Sequence, residues 1–260
     1  MINLSFPIEE LEYFLLIFTR VTCFIYIAPF YGMNNTPNRV KICLGVFISF
    51  LLYEAITPHV YVDYTTVWQY GIIIMKEALV GLLIGLGANI CTSIISFAGR
   101  MMDMEMGLSM ASLMDPTTKE NATITGLFFQ YLVTLILITS GMYQFILKAL
   151  VETYTLIPVN GAIFHVNRLM TAMISFMSEF IIIGFRICLP VFATNMILNA
   201  VLGILAKVSP QMNMFAVGMQ LKILVGLAIL FLTIGMLPNG ANYIFTEMKI
   251  MMVSFVEAMM

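Results

Sequence analysis

Six charged residues lie inside the long apolar segments of this 260-residue chain, away from the segment ends, and they are the first candidates for chemistry. Buried charges of this kind could form a proton or ion relay across a membrane, or they could pair with charges on neighbouring helices and subunits. They are scattered and no cluster of carboxylates accompanies them, which favours pairs over a relay. The six residues are Arg20, Lys76, Glu77, Glu179, Arg186 and Lys222.

The other reactive residues form no catalytic or metal-binding pattern. The two histidines, His59 and His165, are far apart, and the four cysteines lie in apolar runs without Cys-x-x-Cys spacing. The sequence has no His-Glu-x-x-His motif, no phosphate-binding loop and no dinucleotide fingerprint. We therefore expect no catalytic residue, no cofactor and no metal site, and we predict that the protein is not an enzyme.

The composition identifies an integral membrane protein. Hydrophobic residues make up 61% of the chain, charged residues 10%, and the mean hydropathy is +0.98. Soluble domains typically carry about 25% charged residues. The net charge of −2 is small and dispersed, so it gives no indication of nucleic-acid binding.

About six apolar segments predict an all-α, polytopic fold in a single helical membrane domain over residues 1–260. The bias of Lys and Arg weakly favours six crossings with the N-terminus outside. The fifth segment is longer than the ~20 residues that one span needs, so it must bend, break or leave the membrane, and Pro190 is the predicted break point. Glu179 and Arg186 fall on one face of it and could pair. The segments cover residues 11–31, 42–57, 71–98, 122–150, 171–206 and 212–237.

The third segment carries small residues at helical spacing along one side. Such a stripe lets helix backbones approach closely in an apolar medium, so we expect Gly81 and Gly85 to lie in a packed face. The full stripe is Ala78, Gly81, Gly85, Ala88, Thr92, Ser96 and Gly99.

A Met-rich stretch over residues 99–121 separates two long apolar segments. Unbranched Met side chains adapt to irregular space, and Asp115-Pro116 should end any helix that enters the stretch. One interpretation is a buried re-entrant loop or a Met-filled turn in the core, and the other is a deformable plug that seals a pore. If this part is helical, Met106, Met110 and Met114 line one side of it. The candidate plug residues are Met106, Gly107, Met110, Met114, Asp115 and Pro116.

Several of these stretches resemble the FliR family of flagellar type III secretion export-gate subunits. The most specific match is the run Pro-Gln-x-Asn-x-Phe-x-x-Gly at residues 210–218. Two positions depart from the family pattern, because Met142 stands where His is common and Gln220 where Pro is common. The other matching stretches, in chain order, are Arg20-Val21 with Pro29, residues 37–41, Lys76-Glu77, residues 82–85, 99–109, Asp115-Pro116, Ser140-Gly141, and residues 152–158, 198–203 and 221–227.

The resemblance implies a non-enzymatic subunit of the gate that passes unfolded flagellar proteins across the bacterial inner membrane, at the flagellar basal body. It implies FliP-like and FliQ-like partner subunits, an FlhB-like subunit, and a central passage plugged by the loop equivalent to residues 105–121. The residues to which we assign helix packing or assembly are Arg20, Glu77, Gly81, Gly85, Pro210, Gln211, Asn213, Phe215, Gly218 and Lys222.

Two alternatives stay open from the sequence. A virulence-type secretion system uses a near homologue that shares these motifs. A small-solute or ion transporter would use the intramembrane charges, and internal inverted repeats would favour it, although the sequence shows only paired hydrophobic segments.

Overall fold

The computed structural model describes residues 8–33, 36–57, 64–111, 113–114, 121–209 and 213–260, and over these residues the fold is all-α, as predicted. Two short 3-10 helices cover Leu108–Ala111 and Ile234–Met236, and the antiparallel two-residue strands β1 (Leu113–Met114) and β2 (Asn121–Ala122) pair with each other. The α-helices are α1 (Ile8–Ile27), α2 (Asn38–Ala55), α3 (Val67–Met106), α4 (Ile124–Thr139), α5 (Met142–Leu156), α6 (Val166–Val208), α7 (Met214–Thr233) and α8 (Leu237–Glu257).

Three of the described helical stretches are long and apolar enough to cross a membrane, namely α3, α6 and the stretch Ala216–Glu257. A fourth candidate is the pair α4 and α5, which is bent by 70°. The bend falls at Gly141, whose φ of 73° lies in the left-handed region that favours glycine. The first two of the six predicted crossings correspond to α1 and α2, which carry four and three charged residues and are therefore less apolar than these candidates.

The longest helix, α6, runs unbroken through Pro190 for 43 residues. The predicted break at this proline is therefore absent. The predicted pairing of Glu179 with Arg186 is also wrong, because these two described side chains form no ion pair with each other. Arg186 instead donates to the Tyr243 hydroxyl at 3.4 Å and lies over its ring.

The chain divides into two compact units, each with its own core. The first contains residues up to Ile90, Gly141–Phe176 and Glu247–Met260. In it, Gly87 packs closely against the backbone of Met252 and the ring of Phe255, so a segment of α3 and the last part of α8 share one core.

The second unit contains Cys91–Ser140 and Met177–Thr246. Its buried residues include Met102 and Met106 at the end of α3 and Phe129 and Leu137 in α4. The Phe97 ring lies so close to Gly184 in α6 that a side chain at this glycine would overlap it. The Met-rich stretch begins in this unit, at Gly99 of α3.

Candidate functional site

Helix α3 continues to Met106, so the first part of the Met-rich stretch is helix rather than loop. It ends there because Gly107 has a φ of 78°, the left-handed conformation in which glycine commonly ends a helix. The predicted stop at Asp115-Pro116 is therefore too late by about two turns. Because a 3-10 turn and a strand follow, Met106, Met110 and Met114 do not share one side of an α-helix.

Met106 lies in the packed interior of the second unit. Its side chain is fully buried, and its thioether lies where a Cβ at Gly226 of α7 would be. Two turns earlier in α7, the Met219 side chain approaches Gly107. Of the other predicted plug residues, Met110 belongs to the 3-10 turn and Met114 to β1, while their side chains, together with Asp115 and Pro116, lie outside the described residues.

A buried carboxylate joins the end of α3 to the start of α4. Asp103 Oδ2 accepts from the Thr125 backbone N–H at 3.0 Å, and Asp103 Oδ1 accepts from the Thr125 hydroxyl. Both residues are almost fully buried, Asp103 at 1% and Thr125 at 3% exposure. A carboxylate at this place also stabilises the positive end of the α4 dipole.

A close backbone contact lies one turn away from this carboxylate. A Cβ at Gly99 would overlap the backbone of Gly126, so only glycine permits the approach. Neither Asp103 nor Thr125 is among the functional residues predicted from the sequence. The available signal was that Asp103 stands one helical turn after Gly99, the last residue of the small-residue stripe.

Arg20 and Glu77 form a buried ion pair in the first unit. Arg20 Nε lies 2.6 Å from Glu77 Oε2, and neither side chain is exposed. Arg20 also donates to the carbonyl of Ile157 at 2.9 Å and lies over the Tyr154 ring, with its Cζ 4.4 Å from the centroid. The second Glu77 oxygen accepts from the Asn160 backbone N–H at 2.8 Å. Both charged groups are thus engaged by partners within this chain.

Gly81 and Gly85 lie against the backbone of α1 beside this ion pair. A Cβ at Gly81 would overlap the Arg20 carbonyl, and a Cβ at Gly85 would lie 3.1 Å from the Phe24 carbonyl. The matching spacing of four residues on both helices shows that α1 and α3 cross with their backbones in contact. The two ends of the small-residue stripe therefore meet different helices, α1 at Gly81 and Gly85 and α4 at Gly99.

The last group of predicted assembly residues surrounds the start of α7. Asn213 caps this helix by accepting from the Ala216 N–H at 3.4 Å, and Gly218 is buried near Leu202, whose Cδ1 would lie 3.3 Å from an added Cβ. Pro210 and Gln211 and the Phe215 side chain lie outside the described residues.

Lys222 is half-buried on the face of α7 that carries Met219 and Gly226. No hydrogen bond or ion pair joins it to the residues that the structure describes. Across those residues there is also no group of three or more His, Cys, Asp or Glu side chains that could hold a metal ion.

Comparison with known proteins identifies the family. The model of the bacterial export proteins, family 1, matches residues 11–248. The flagellar biosynthetic protein FliR of Aquifex aeolicus is 31% identical over 87% of this chain and 86% of its own length. FliR of Bacillus subtilis is 29% identical over 84% of each chain, and FliR of Pectobacterium carotovorum is 27% identical over 88% of this chain and 87% of its own. The resemblance noted in the sequence is thereby confirmed: the chain belongs to the bacterial export proteins, family 1, as a FliR-type membrane protein.

Proposed function

We propose that this chain is a non-enzymatic subunit of the flagellar type III export gate, where it helps to form and seal the passage for unfolded flagellar proteins. The proposal places it in the bacterial inner membrane, at the flagellar basal body. The match to the export family over residues 11–248 is the observation that carries it. The three or four helical stretches able to cross a membrane support the location.

The anchoring of the Met-rich stretch supports a sealing role for it. After the buried Met106 the chain leaves α3, and it next becomes helical at α4, whose first turn is held by Asp103. The pairing of β1 with β2 brings the two ends together again. A segment fixed at both ends, with adaptable Met side chains between them, can fill a passage and close again around chains of any sequence.

The exposed apolar faces of the long helices support assembly with other subunits. The apolar part of Ala216–Glu257 is only 11% buried within this chain, and that of α6 only 28%. At 1.5 Å per residue α6 is about 65 Å long, about twice the thickness of the hydrocarbon core, so lipid alone cannot cover it. We propose that FliP-like and FliQ-like subunits cover the remainder, and that an FlhB-like subunit joins them.

The transporter alternative receives no support from the buried charges. A relay needs groups that can exchange protons or ions, whereas both Glu77 oxygens and the Arg20 guanidinium already have partners within the protein. The pair therefore fits a structural role. The relatives compared above are all named as flagellar proteins, which favours the flagellar system over a virulence-type one.

Two measurements on the assembled gate test the proposal. Affinity purification in mild detergent should recover two other small hydrophobic proteins in fixed proportion with this chain, whereas transport by the chain alone after reconstitution would favour a transporter. Deletion of residues 107–116 should leave the complex assembled and make the membrane leak ions. Replacement of Met110 and Met114 by Ser should leak less, because the segment remains in place. A membrane that stays tight in both variants would show that the stretch is only a structural turn.

A further inference from the structure

We infer that Asp103 is a positioning residue that keeps the two stems of the Met-rich stretch joined. The stems stay joined both when the gate is closed and while a protein passes through it. The stems are residues 99–106 at the end of α3 and residues 121–126 at the start of α4. The inference rests on the proposed sealing role and deepens it, because it assigns the fixed part of the seal to Asp103 and Thr125.

The first observation is that Asp103 replaces a cap that α4 lacks. Thr123, the residue before the helix, makes no side-chain hydrogen bond to the exposed N–H groups of the first turn. Asp103 of α3 supplies that acceptor to Thr125 instead and takes a second hydrogen bond from the Thr125 hydroxyl. The start of one helix is thus held by the end of another, so the two cannot separate without leaving α4 uncapped.

The second observation is the burial of the carboxylate. Asp103 has 1% of its surface exposed and forms no ion pair with the residues that the structure describes. Both of its hydrogen bonds to these residues come from Thr125. Separation of the stems would leave a buried charged group without donors, and such groups are costly to leave unpaired. This cost would arise on every opening of the gate.

The third observation is that backbone contacts continue the join on both sides of Asp103. Gly99 and Gly126 touch with no side chain between them, one turn before the carboxylate. Beyond it, β1 and β2 pair in the register Leu113 with Ala122 and Met114 with Asn121. The first two contacts join the two stems directly, and the β1–β2 pair joins the second stem to the chain that follows the first.

A reversible lock tests whether the stems stay joined during export. The substitutions Asp103→Cys and Thr125→Cys, introduced in the full gate with Cys23 and Cys43 replaced by Ala and Ser, remove both hydrogen bonds and allow a disulfide instead. In the reduced form we expect ion leakage with a normally assembled complex. On oxidation the leak should close, while export of flagellar proteins continues within about twofold of the reduced rate. A gate whose export stops on oxidation and recovers with reductant would overturn the inference. The single substitution Asp103→Cys is the control and should not respond to oxidant.

A second pair of variants applies if the cysteine pair does not assemble. Thr125→Ser keeps both donors to Asp103 and should stay tight. Thr125→Val keeps the side-chain shape but loses the hydroxyl donor, and a hydrogen bond to a charged group is strong enough that we expect about a tenfold rise in ion leakage. Equal tightness of the Ser and Val variants would overturn the positioning role of Asp103.

The two proposals fail in different ways. If deletion of residues 107–116 leaves the membrane tight, the sealing role itself is wrong. If that deletion leaks while Thr125→Val is tight and the oxidised cysteine pair blocks export, the seal exists but its stems separate.

Discussion

Arg20 and Glu77, 57 residues apart in the sequence, lie 2.6 Å from each other with no exposed surface on either side chain. The pair links α1 to α3, and its remaining hydrogen bonds hold the turn after α5 at Ile157 and Asn160. The ion pair and its hydrogen bonds therefore hold together α1, α3 and the turn after α5 in the first unit.

We predict that breaking this pair on one side is more harmful than removing it. Arg20→Met or Glu77→Met alone leaves one buried charge unpaired and should cost about 3–5 kcal/mol in the free energy of unfolding. The double variant Arg20→Met with Glu77→Met should cost less than the sum of the two single losses, because no unpaired charge remains. Denaturant unfolding of the purified gate in mild detergent measures all three. Strict additivity would show that the two residues are not energetically coupled.

We predict graded effects of alanine at the glycines of α3. Gly81→Ala should destabilise most, by about 1–3 kcal/mol, because the new Cβ would overlap the backbone carbonyl of Arg20. Gly85→Ala should be milder, since its Cβ would lie 3.1 Å from the nearest atom. Thermal unfolding of the gate complex measures the order.

Gly71→Ala is the matched control in the same helix. Its Cβ would meet nothing within 4 Å, so alanine should be neutral or stabilise the helix by up to about 1 kcal/mol. If all three substitutions behave alike, the contact between α1 and α3 does not limit stability.

The sequence predicted the faces of these helices better than their partners. A repeat of three and four residues shows that Gly81, Gly85 and Gly99 lie on one side of α3, because that spacing is the period of the helix. It contains no information about which helix arrives there. The charge of Arg20 likewise required a partner, but a sequence separation of 57 residues left the choice of Glu77 open.

The ends of helices were harder to predict because two breakers competed. The sequence predicts that Asp115-Pro116 ends any helix that continues beyond Ala98. Gly107 ends α3 earlier, because its missing side chain allows a positive φ. Gly141 divides the continuous apolar run of residues 122–150 into α4 and α5 for the same reason. By contrast Pro190 lies within α6 without ending it, so neither residue type alone determines where a helix stops.

We predict that Met106 contributes to the stability of the second unit. Met106→Ala would leave a cavity beside α7 and should cost about 2–5 kcal/mol. Gly226→Ala should cost less than Gly81→Ala, because the atom that it meets is a flexible thioether rather than a backbone carbonyl. The double variant should be less unstable than the sum of its parts, since the new methyl group fills part of the cavity. Unfolding of the three variants decides the point, and a fully stable Met106→Ala gate would mean that this side chain is not a packing residue.

We predict that Lys222 contributes to assembly rather than to the stability of this chain. It is half-buried in α7 and has no hydrogen-bond or ion-pair partner within the described residues, and an ammonium between Gly218 and Gly226 is costly to leave facing lipid, so we expect it to contact a neighbouring subunit or helix. Lys222→Leu should therefore reduce the amounts of FliP-like and FliQ-like subunits that purify with the tagged chain, while the amount of the chain itself in the membrane stays unchanged. Lys148→Leu is the control, because that lysine is 73% exposed and pairs with Glu152 one turn away on the same helix. Exposed pairs of this kind contribute little, so the control should assemble normally. An intact complex with normal export in the Lys222 variant would contradict the prediction, and loss of the chain from the membrane would assign the lysine to folding instead.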